Sequence, residues 1–376
     1  KNKFNELIRI FQEVDAFSEF QQNLAKQFGE IFEGMSYGLQ IDFSAYDPSR
    51  FFRSLQVIAK EGEIVRTFEE LGTGQEQLLA LVFAHAYAKA FYGGIVLAIE
   101  EPEAHLHPLA QEWLARKIHK MAADGLQIVI TTHSPHFVDI MNLEGLVLVR
   151  KNNQNATTIC QLTKGRLVEY CKQHGADLQK TVPEKILPFY ANQSTQEIIN
   201  GFFAKKIILV EGQTERFALP VYLSKVDMDV VKEGISIISV MGKGNLAKWW
   251  RLFTAYGIPV YVIFDNDLED DRSGAKRKDI LNTLNIKDIN SVISSEDWLI
   301  NENFCVFGKD FEETMRKNFS NYQEKEQEVK DAFGDSKPII ARYIASQLVV
   351  DDSPGWLKYK NLRDVIKNLA LPDSAC

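Results

Sequence analysis

Two apolar segments in the second half of this 376-residue chain are each followed by a pair of carboxylates. Glu211 and Glu215 follow the first segment in an E-G-x-x-E pattern, and Asp265 and Asp267 follow the second as D-N-D. Acids gathered at the ends of adjacent buried strands repel one another unless divalent cations neutralise them, and hard oxygen ligands favour Mg²⁺ or Mn²⁺. A D-x-D pair alone is more often a solvated turn, but both pairs after two buried strands are far more specific. The pattern predicts a metal site.

Three motifs between residues 71 and 137 together indicate part of an ATP site. A glycine-containing turn before a predicted helix lets backbone N–H groups approach an anion such as a γ-phosphate. An apolar strand then ends in two carboxylates, the first suited to hold Mg²⁺ and the second to orient or deprotonate the attacking water. A later strand ends beside an imidazole that could sense the γ-phosphate. The residues concerned are Gly72, Gly74 and Gln75 in the turn, Glu100 and Glu101 in that order, and His133.

Each of these three motifs alone also fits a structural role, as a capped helix, a solvated strand end or a turn. The histidines of the same stretch could suggest a zinc cluster, but their positions match roles in a nucleotide site better. We therefore set the zinc interpretation aside for His105, His107, His133 and His136.

Helices and parallel strands must position these residues. Residues 1–35 carry apolar side chains at helical spacing, which predicts amphipathic helices, and residues 39–66 alternate as short antiparallel strands do. Two runs of alternating strands and helices follow, and that order predicts a parallel sheet in each. The tail from about residue 304 reads as helical. The predicted strands after residue 90 are 95–99, 126–131, 146–150, 157–162, 207–210, 235–239 and 259–264.

Composition narrows the class of protein. The 43 Lys and Arg against 51 Asp and Glu give a net charge of −8, so any contact with nucleic acid must be local. The basic cluster Arg272, Lys276, Arg277 and Lys278 after D-N-D could grip phosphates, although a solvated loop of mixed charge fits equally well. Four cysteines without CxxC spacing indicate neither a disulfide framework nor a zinc cage. We expect a cytoplasmic protein without a membrane span.

The order of the three motifs between residues 71 and 137 resembles the ABC-type ATPase fold of the SMC, Rad and RecF kind. That resemblance implies a signature loop at Gly72–Gln75, with Thr73 where Ser or Gly is frequent. It also implies that Glu100 lies on the Mg²⁺ side, that Glu101 is the hydrolytic base, and that His133 is the switch histidine. Residues 103–107 would form the D-loop.

The acidic motifs of the second half resemble the Toprim fold, and the order of ATPase then Toprim resembles the OLD (overcoming lysogenization defect) family of ATP-powered nucleases, which includes the Gabija nuclease. Residues 242–245 match the glycine loop of that fold. The resemblance further implies a late acid, for which we favour Glu312 over Asp310 and Glu313, and a late lysine, Lys337.

This resemblance implies two-metal hydrolysis of phosphodiester bonds. Two Mg²⁺ or Mn²⁺ ions would be held by the two carboxylate pairs together with Glu312. Lys337 would neutralise charge on the reacting phosphate. Glu211, Asp265 and Asp267 would thus take part in catalysis as ligands.

The expected fold is α/β: a partial ABC-type ATPase domain, then a parallel-sheet Toprim domain with a helical C-terminal extension. The predicted limits are 1–150 for the ATPase part, with 1–35 as a helical dimerisation segment, then 151–204 for a connector, 205–345 for the Toprim domain and 346–376 for a helical tail. The expected activity is a metal-dependent DNA endonuclease regulated by the ATPase, in anti-phage defence or DNA processing.

Two other functions fit parts of the pattern. An ATP-gated DNA clamp or repair sensor would carry the acids as a vestige, although the complete acid set argues against it. A primase or topoisomerase would need an additional zinc or tyrosine-bearing module, for which there is little room. Expected partners are DNA, at least one further copy of the chain because ABC-type sites are completed across a dimer, and a helicase-like or other defence protein.

ATP hydrolysis by this chain alone is expected to be weak or absent. The motif G-x-x-x-x-G-K-[ST] does not occur in its 376 residues, and the segment 242–244 has neither that spacing nor the Ser or Thr. In the ATPase fold this P-loop comes before the signature loop, so we expect it to precede Lys1, with ATP and Mg²⁺ binding in the longer protein. Steady-state ATP turnover that Glu101→Gln abolishes in this same chain would contradict the expectation.

Overall fold

The computed structural model describes residues 6, 9–10, 13–31, 37–42, 56–61, 64–67, 73–90, 96–152, 155–267 and 271–371. The chain divides into two compact units, residues 1–137 and residues 138–376, and each is described by itself. Among the described helices, none has the length and apolar character needed to cross a membrane.

The first unit contains the helices and strands predicted for the amino-terminal third. An antiparallel sheet pairs β1 with β2 and β2 with β3, as the alternation between residues 39 and 66 predicts. Two further strands, β4 and β5, pair in parallel. The described elements are α1 (Asp15–Ile31), β1 (Tyr37–Asp42), β2 (Gln56–Glu61), β3 (Ile64–Thr67), α2 (Thr73–Ala90), β4 (Val96–Glu100), α3 (Pro108–Ala123) and β5 (Gln127–Thr131).

Helix α3 covers one face of the β4–β5 pair. Its buried side chains recur at helical spacing and pack with Leu81 of α2 and with Phe137. His107 caps the helix by accepting a hydrogen bond from the backbone N–H of Ala110, and Pro108 follows as its first residue. The helix thereby begins directly after the turn that follows Glu100 and Glu101.

Residues 138–204 form the first part of the second unit. They contain an antiparallel hairpin and three helices, whose apolar side chains lie in the same core cluster as Trp249, Phe253 and Tyr256. The sequence-based limit at residue 150 therefore lies inside this unit, and the predicted connector packs against the sheet that follows it. The elements are β6 (Val147–Lys151), β7 (Thr157–Gln161), α4 (Lys164–Gln173), α5 (Pro183–Gln193) and α6 (Gln196–Asn200).

A five-stranded sheet forms the centre of the second unit. Its strand order is β11 (Leu299–Ile300), β12 (Phe304–Phe307), β10 (Val260–Asp265), β8 (Lys206–Val210) and β9 (Ile235–Ser239). Strands β12, β10, β8 and β9 run parallel, and only the two-residue β11 is antiparallel. The inner strands are buried on both faces because helices cover each side, which explains their continuous apolar sequences. The elements are β8 (Lys206–Val210), α7 (Gln213–Lys225), β9 (Ile235–Ser239), α8 (Lys243–Ala255), β10 (Val260–Asp265), α9 (Ala275–Thr283) and α10 (Ile289–Ser294).

The tail that the sequence predicts as helical begins with a strand. Residues 304–307, Phe-Cys-Val-Phe, form β12, which is wholly buried and pairs in parallel with β10. A four-residue apolar run shows no periodicity that separates a strand from a helical turn, so pairing with β10 decides the outcome. Four helices then follow, as expected. The elements are β11 (Leu299–Ile300), β12 (Phe304–Phe307), α11 (Phe311–Asn318), α12 (Tyr322–Phe333), α13 (Lys337–Gln347) and α14 (Pro354–Asn368).

Candidate functional site

The first carboxylates of the site come from two neighbouring parallel strands. Strand β8 ends immediately before Glu211, and β10 ends on Asp265. Because parallel strands end at the same edge of a sheet, these two residues meet: Oε1 of Glu211 accepts a hydrogen bond from the backbone N–H of Asp265 at 2.7 Å. The edge at the carboxyl ends of the strands, where α/β folds bind ligands, thus carries both acids.

Helices α7 and α11 add two further acids. Glu215, in the first turn of α7, is 6% exposed and accepts a hydrogen bond from the N–H of Gly212 at 3.2 Å. Glu312 lies in the first turn of α11, directly after β12, and Lys337 Nζ is 3.5 Å from its Oε2. Lys337 is the first residue of α13, with a side chain 68% exposed. The lysine therefore reaches the acids from the solvent side.

Of the three late acids, Glu312 is the one that contacts Lys337. Asp310 caps α11 by accepting a hydrogen bond from the N–H of Glu313 at 2.6 Å. The carboxylate of Glu313 pairs with Lys309 at 3.3 Å and with Lys317 at 2.9 Å. These contacts give Asp310 and Glu313 structural tasks and support the choice of Glu312.

A buried lysine that the sequence motifs do not assign to the site lies among these acids. Lys243 is 1% exposed, and its Nζ is 3.5 Å from Oε1 of Glu211. It is the first residue of α8, after Gly242, whose φ of 122° places it in a region that residues with a Cβ avoid. The G-K-G pattern is visible in the sequence, but nothing in it shows that the ammonium group is buried.

Three acids of this cluster, Glu211, Glu215 and Asp265, have pKa values that are raised chiefly by burial. Burial is the largest cause for Glu211 and raises its pKa to about 7, while the ammonium of Lys243 opposes the shift and the charge of Glu215 adds to it. Burial likewise raises the pKa of Glu215, with a contribution from Glu312. The pKa of Asp265 is raised well above its usual range by burial and then by the other acids. Four acids therefore share one desolvated region.

The cluster fits a divalent cation by its chemistry, although it is not a finished ligand shell. Within the described residues, no group of three or more His, Cys, Asp or Glu side chains is spaced to hold a metal ion. Oδ1 of Asp265 is nevertheless buried and receives no hydrogen bond from the described part of the chain. A buried carboxylate oxygen without a donor is costly unless a cation neutralises it. The donors are all hard oxygens, as Mg²⁺ and Mn²⁺ prefer.

Asp267 is half-buried at the same sheet edge, two residues past Asp265. The intervening Asn266 is buried at 5% exposure, and its Nδ2 donates to the carbonyl oxygens of Val292 and Ser295, each at 2.8 Å. The middle residue of D-N-D is thus an anchor within the protein.

The structure excludes one member of the basic cluster from contact with nucleic acid. Arg277 belongs to the basic cluster for which both phosphate binding and a solvated loop were possible, but it is 1% exposed and its Nε donates to Asp271 at 3.2 Å. Asp271 is also buried, so this part of the segment is not a solvated loop. Arg272 and Lys278 are exposed and Lys276 is half-buried, and contact of these three residues with phosphates stays a prediction.

The metal-free protein is expected to lose stability as the pH rises from 5.5 to 7.5. The folded-state pKa of Glu211 is raised from an ordinary 4.5 to about 7, so the folded state binds a proton more tightly than the unfolded chain between those values. The stabilisation that this extra bound proton gives the folded state is lost as the pH rises through the folded-state pKa. The raised pKa values of Glu215 and Asp265 act in the same direction. Thermal melts in chelator should show a fall in Tm on the order of several degrees.

The matched variant for this pH effect is Glu211→Gln, which cannot ionise. Its Tm should depend less on pH than that of the wild type over the same interval. Equal slopes in the two proteins would show that Glu211 ionises in the folded state with an ordinary pKa.

The first unit brings together two of the residues predicted for an ATP site. Glu101 follows β4 with a left-handed φ of 43°, and its Oε1 lies 3.6 Å from Nε2 of His133. Parallel pairing aligns Glu100 with Thr131, so the acids and the histidine lie at the same end of the two strands. Glu100 itself is exposed at the end of β4.

Glu103 fixes the segment that carries His133. Its Oε1 accepts hydrogen bonds from Thr132 Oγ1 at 2.7 Å, from the N–H of His133 at 2.6 Å and from the N–H of Ser134 at 3.1 Å. The sequence motifs place Glu103 in the D-loop without this task. Three donors on one carboxylate oxygen hold the turns after β4 and β5 together.

The predicted signature loop cannot be assessed in the same way. Gly72 lies outside the described residues, and Gly74 and Gln75 lie in the first turn of α2, where the structure describes only the backbone. Their assignment to a nucleotide site stays a prediction.

Comparison with known proteins matches both halves of the chain. Residues 1–138 match the AAA ATPase domain family, and residues 202–267 match the family described as Overcoming lysogenization defect protein-like, TOPRIM domain. The second match ends on Asp267 and contains both pairs of carboxylates.

Three curated relatives align with the chain. The OLD nuclease of Thermus scotoductus is 26% identical over 265 residues, which cover 70% of this chain and 48% of that protein. The Old nuclease of Escherichia phage P2 is 24% identical over 288 residues, which cover 72% and 46%. Endonuclease GajA of Bacillus cereus is 27% identical over 191 residues, which cover 47% and 26%.

The chain thus spans about half the length, or less, of the curated relatives that it matches. Its mixed α/β architecture, with the parallel sheet of the second unit followed by helices, confirms the fold class expected from the motifs. With a segment that matches the AAA ATPase domain family followed by one that matches the OLD-like Toprim domain family, the chain is similar to the OLD nucleases in the order of its two parts.

Proposed function

We propose that this chain carries the nuclease centre of a metal-dependent DNA endonuclease whose activity an ATPase regulates. The observation that carries the proposal is the cluster of Glu211, Glu215, Asp265 and Glu312 at one sheet edge, with Lys337 3.5 Å from Glu312. Such a cluster pairs oxygen ligands for cations with an ammonium group for a phosphate. The relatives named nuclease and endonuclease support the same activity.

The four acids and Asp267 are the residues that would hold two divalent ions, Mg²⁺ or Mn²⁺. When bound, such ions activate the attacking water and neutralise charge on the leaving oxygen of a phosphodiester. The protein supplies the geometry around them. Hydrogen bonding to the N–H of Asp265 orients Glu211, and that to the N–H of Gly212 orients Glu215.

Lys337 would act on the substrate rather than on the ions. Lys337 is the first residue of α13 and its side chain is 68% exposed, so the ammonium group can move from Glu312 to a phosphate oxygen without unpacking the core. Negative charge increases on that phosphate in the transition state, and a positioned cation stabilises it. Lys243 is buried and remains within the protein, where it offsets part of the negative charge of the acids.

DNA would be held by charges at the rim of this site. Arg272 and Lys278 are exposed on the segment after D-N-D, and Lys309 and Lys317 lie on α11 and the residues just before it. Contacts between such side chains and phosphates give binding that depends on salt and not on sequence. A net charge of −8 makes a local contact of this kind necessary.

The first unit would couple ATP to the nuclease. Glu101 and His133, 3.6 Å apart, are arranged as a base and a phosphate-sensing histidine would be. We propose that ATP and Mg²⁺ bind where a P-loop completes this site, with at least two copies of the chain. A role in defence against phage or in DNA processing, with a helicase-like or other defence protein as partner, belongs to the same proposal.

Incubation of supercoiled plasmid with the purified chain tests the proposed activity. We expect nicked and linear products with Mg²⁺ or Mn²⁺ and none with chelator. DNA binding that persists without any nicking in either metal would instead favour a DNA clamp, in which the acids serve no catalysis.

A further inference from the structure

The segment that joins β10 to α9 begins at a fully bonded asparagine. Asn266 stands between the two aspartates of D-N-D and is 5% exposed. Its backbone N–H donates to the carbonyl oxygen of Phe307 at 3.0 Å, and its Nδ2 donates to Val292 and Ser295. The N–H groups of Asn266 therefore donate to β12, to α10 and to Ser295, the residue after α10. The two oxygens of Asn266 still need hydrogen-bond donors.

A buried arginine donates to both of those oxygens. Nη1 of Arg277 donates to the backbone oxygen of Asn266 at 3.1 Å and to its Oδ1 at 3.3 Å. The same guanidinium donates from Nε to Oδ2 of Asp271 at 3.2 Å and from Nη2 to the Asp271 carbonyl oxygen at 2.9 Å. Arg277 thus donates hydrogen bonds to both Asn266 and Asp271, the first and last residues of the segment 266–271.

Only an arginine can do this. The planar guanidinium carries five donors in a fixed fork, whereas a lysine carries three on one nitrogen and cannot reach both residues in the same plane. The charge of Arg277 is balanced by Asp271, which is 4% exposed. The Asp271 carboxylate also accepts hydrogen bonds from the backbone N–H groups of Lys276 and Arg277. With 1% exposure, Arg277 is not available to DNA.

We propose that Arg277 is a positioning residue for the metal ligands Asp265 and Asp267. By holding Asn266 through two of its oxygens, it sets the direction in which the carboxylates on either side leave the end of β10. The inference rests on the proposed function, because it assigns Arg277 to the ligands of that site. Partners that orient metal ligands typically change metal affinity or activity by about ten- to a hundredfold when they are replaced.

A purely structural role would give a different result, and a double variant separates the two. Arg277→Met alone would leave Asp271 buried and unpaired, which destabilises the fold strongly. Arg277→Met combined with Asp271→Leu replaces the whole ion pair by apolar side chains, an exchange that is often neutral for stability. Arg277→Lys is the second variant, since it keeps the positive charge beside Asp271 but loses the fork that holds Asn266.

The control is another buried arginine of the same unit. Arg251 is 4% exposed, pairs with Asp279 and donates to the carbonyl oxygen of His174 at 2.8 Å. Within the described part of the chain its side-chain hydrogen bonds go to residues 174, 279 and 283, away from the D-N-D segment. Arg251→Met should lower Tm without changing metal affinity.

The experiment is calorimetric titration of Mn²⁺ into the intact chain, with a thermal melt of each variant. We expect the double variant and Arg277→Lys to bind Mn²⁺ about tenfold or more weakly than the wild type at temperatures where both are folded. Wild-type affinity in either folded variant would overturn the inference. If Asp265→Ala also leaves Mn²⁺ affinity unchanged, the proposed metal site itself fails, whereas a loss in Asp265→Ala alone refutes only the role of Arg277.

Discussion

Asp265→Ala is expected to slow DNA cleavage by about a thousandfold or more while the protein stays folded. Asp265 ends the central strand β10, and its Oδ1 is buried without a hydrogen bond from the described residues. Burial raises its pKa most, and the charges of Glu215, Glu211 and Glu312 raise it further. Removal of this carboxylate loses or displaces an ion whose stabilisation of the transition state amounts to several kcal/mol.

The stability of Asp265→Ala, unlike its cleavage rate, should not fall. Because the metal-free cluster gathers four acids in a desolvated region, loss of one relieves repulsion, and Tm in chelator should stay the same or rise. Plasmid nicking in Mg²⁺ and in Mn²⁺, with a melt of each protein, measures both effects. Glu313→Ala is the matched control, since this acid on the same helix as Glu312 pairs with Lys309 and Lys317. Wild-type nicking by Asp265→Ala would refute the assignment of the centre.

Lys337→Ala is expected to slow cleavage by about a hundred- to a thousandfold, the usual loss when one stabilising donor of a transition state is removed. Metal affinity should be unchanged or slightly higher, because the ammonium group 3.5 Å from Glu312 competes with a cation for that carboxylate. Single-turnover cleavage and Mn²⁺ titration therefore separate Lys337 from the ligands.

The control for Lys337 is Lys232→Ala. Lys232 is exposed in the turn before β9, at the amino ends of the parallel strands and thus at the opposite edge of the sheet. This variant should cleave at the wild-type rate. A Lys337→Ala protein that cleaves normally, or that loses Mn²⁺ binding together with cleavage, would contradict a role for this lysine at the phosphate.

Continuous apolar runs make the central strands predictable. Strands β8, β9 and β10 lie within one residue of their expected limits, because a glycine, a proline or a polar residue lies at or next to the ends of each run. The parallel order of strands and helices then predicts that Glu211 and Asp265 lie at one edge of the sheet. The pairing of β8 with β10 confirms that step.

Burial of charged residues cannot be predicted in the same way. Lys243 and Arg277 stand in polar sequence, next to glycines or other basic residues, where exposure is the normal outcome. Their burial depends on partners distant in the chain, Glu211 for the lysine and Asn266 for the arginine. Strand β12 escapes prediction for a related reason, since only its pairing with β10 distinguishes it from a helical turn.

In the ATPase motifs, one contact could be predicted from the sequence and a neighbouring one could not. Glu101 and His133 are expected to share a site, and the structure places them 3.6 Å apart. The carboxylate that ties the two strand ends together, Glu103, is expected only as a member of a loop. Its three donors come from residues 132–134, and such a long-range contact leaves no local pattern in the sequence.

The position of the bound ion can be measured without reference to activity. Fe²⁺ bound in place of Mg²⁺ produces hydroxyl radicals with ascorbate and peroxide, and these radicals cut the polypeptide close to the ion. We expect cuts near residues 211–215, 265–267 and 310–312 that excess Mg²⁺ suppresses and that Asp265→Ala removes. Cuts elsewhere in the chain, or cuts at these positions that persist unchanged in Asp265→Ala, would contradict a metal-dependent nuclease centre at the ends of β8 and β10.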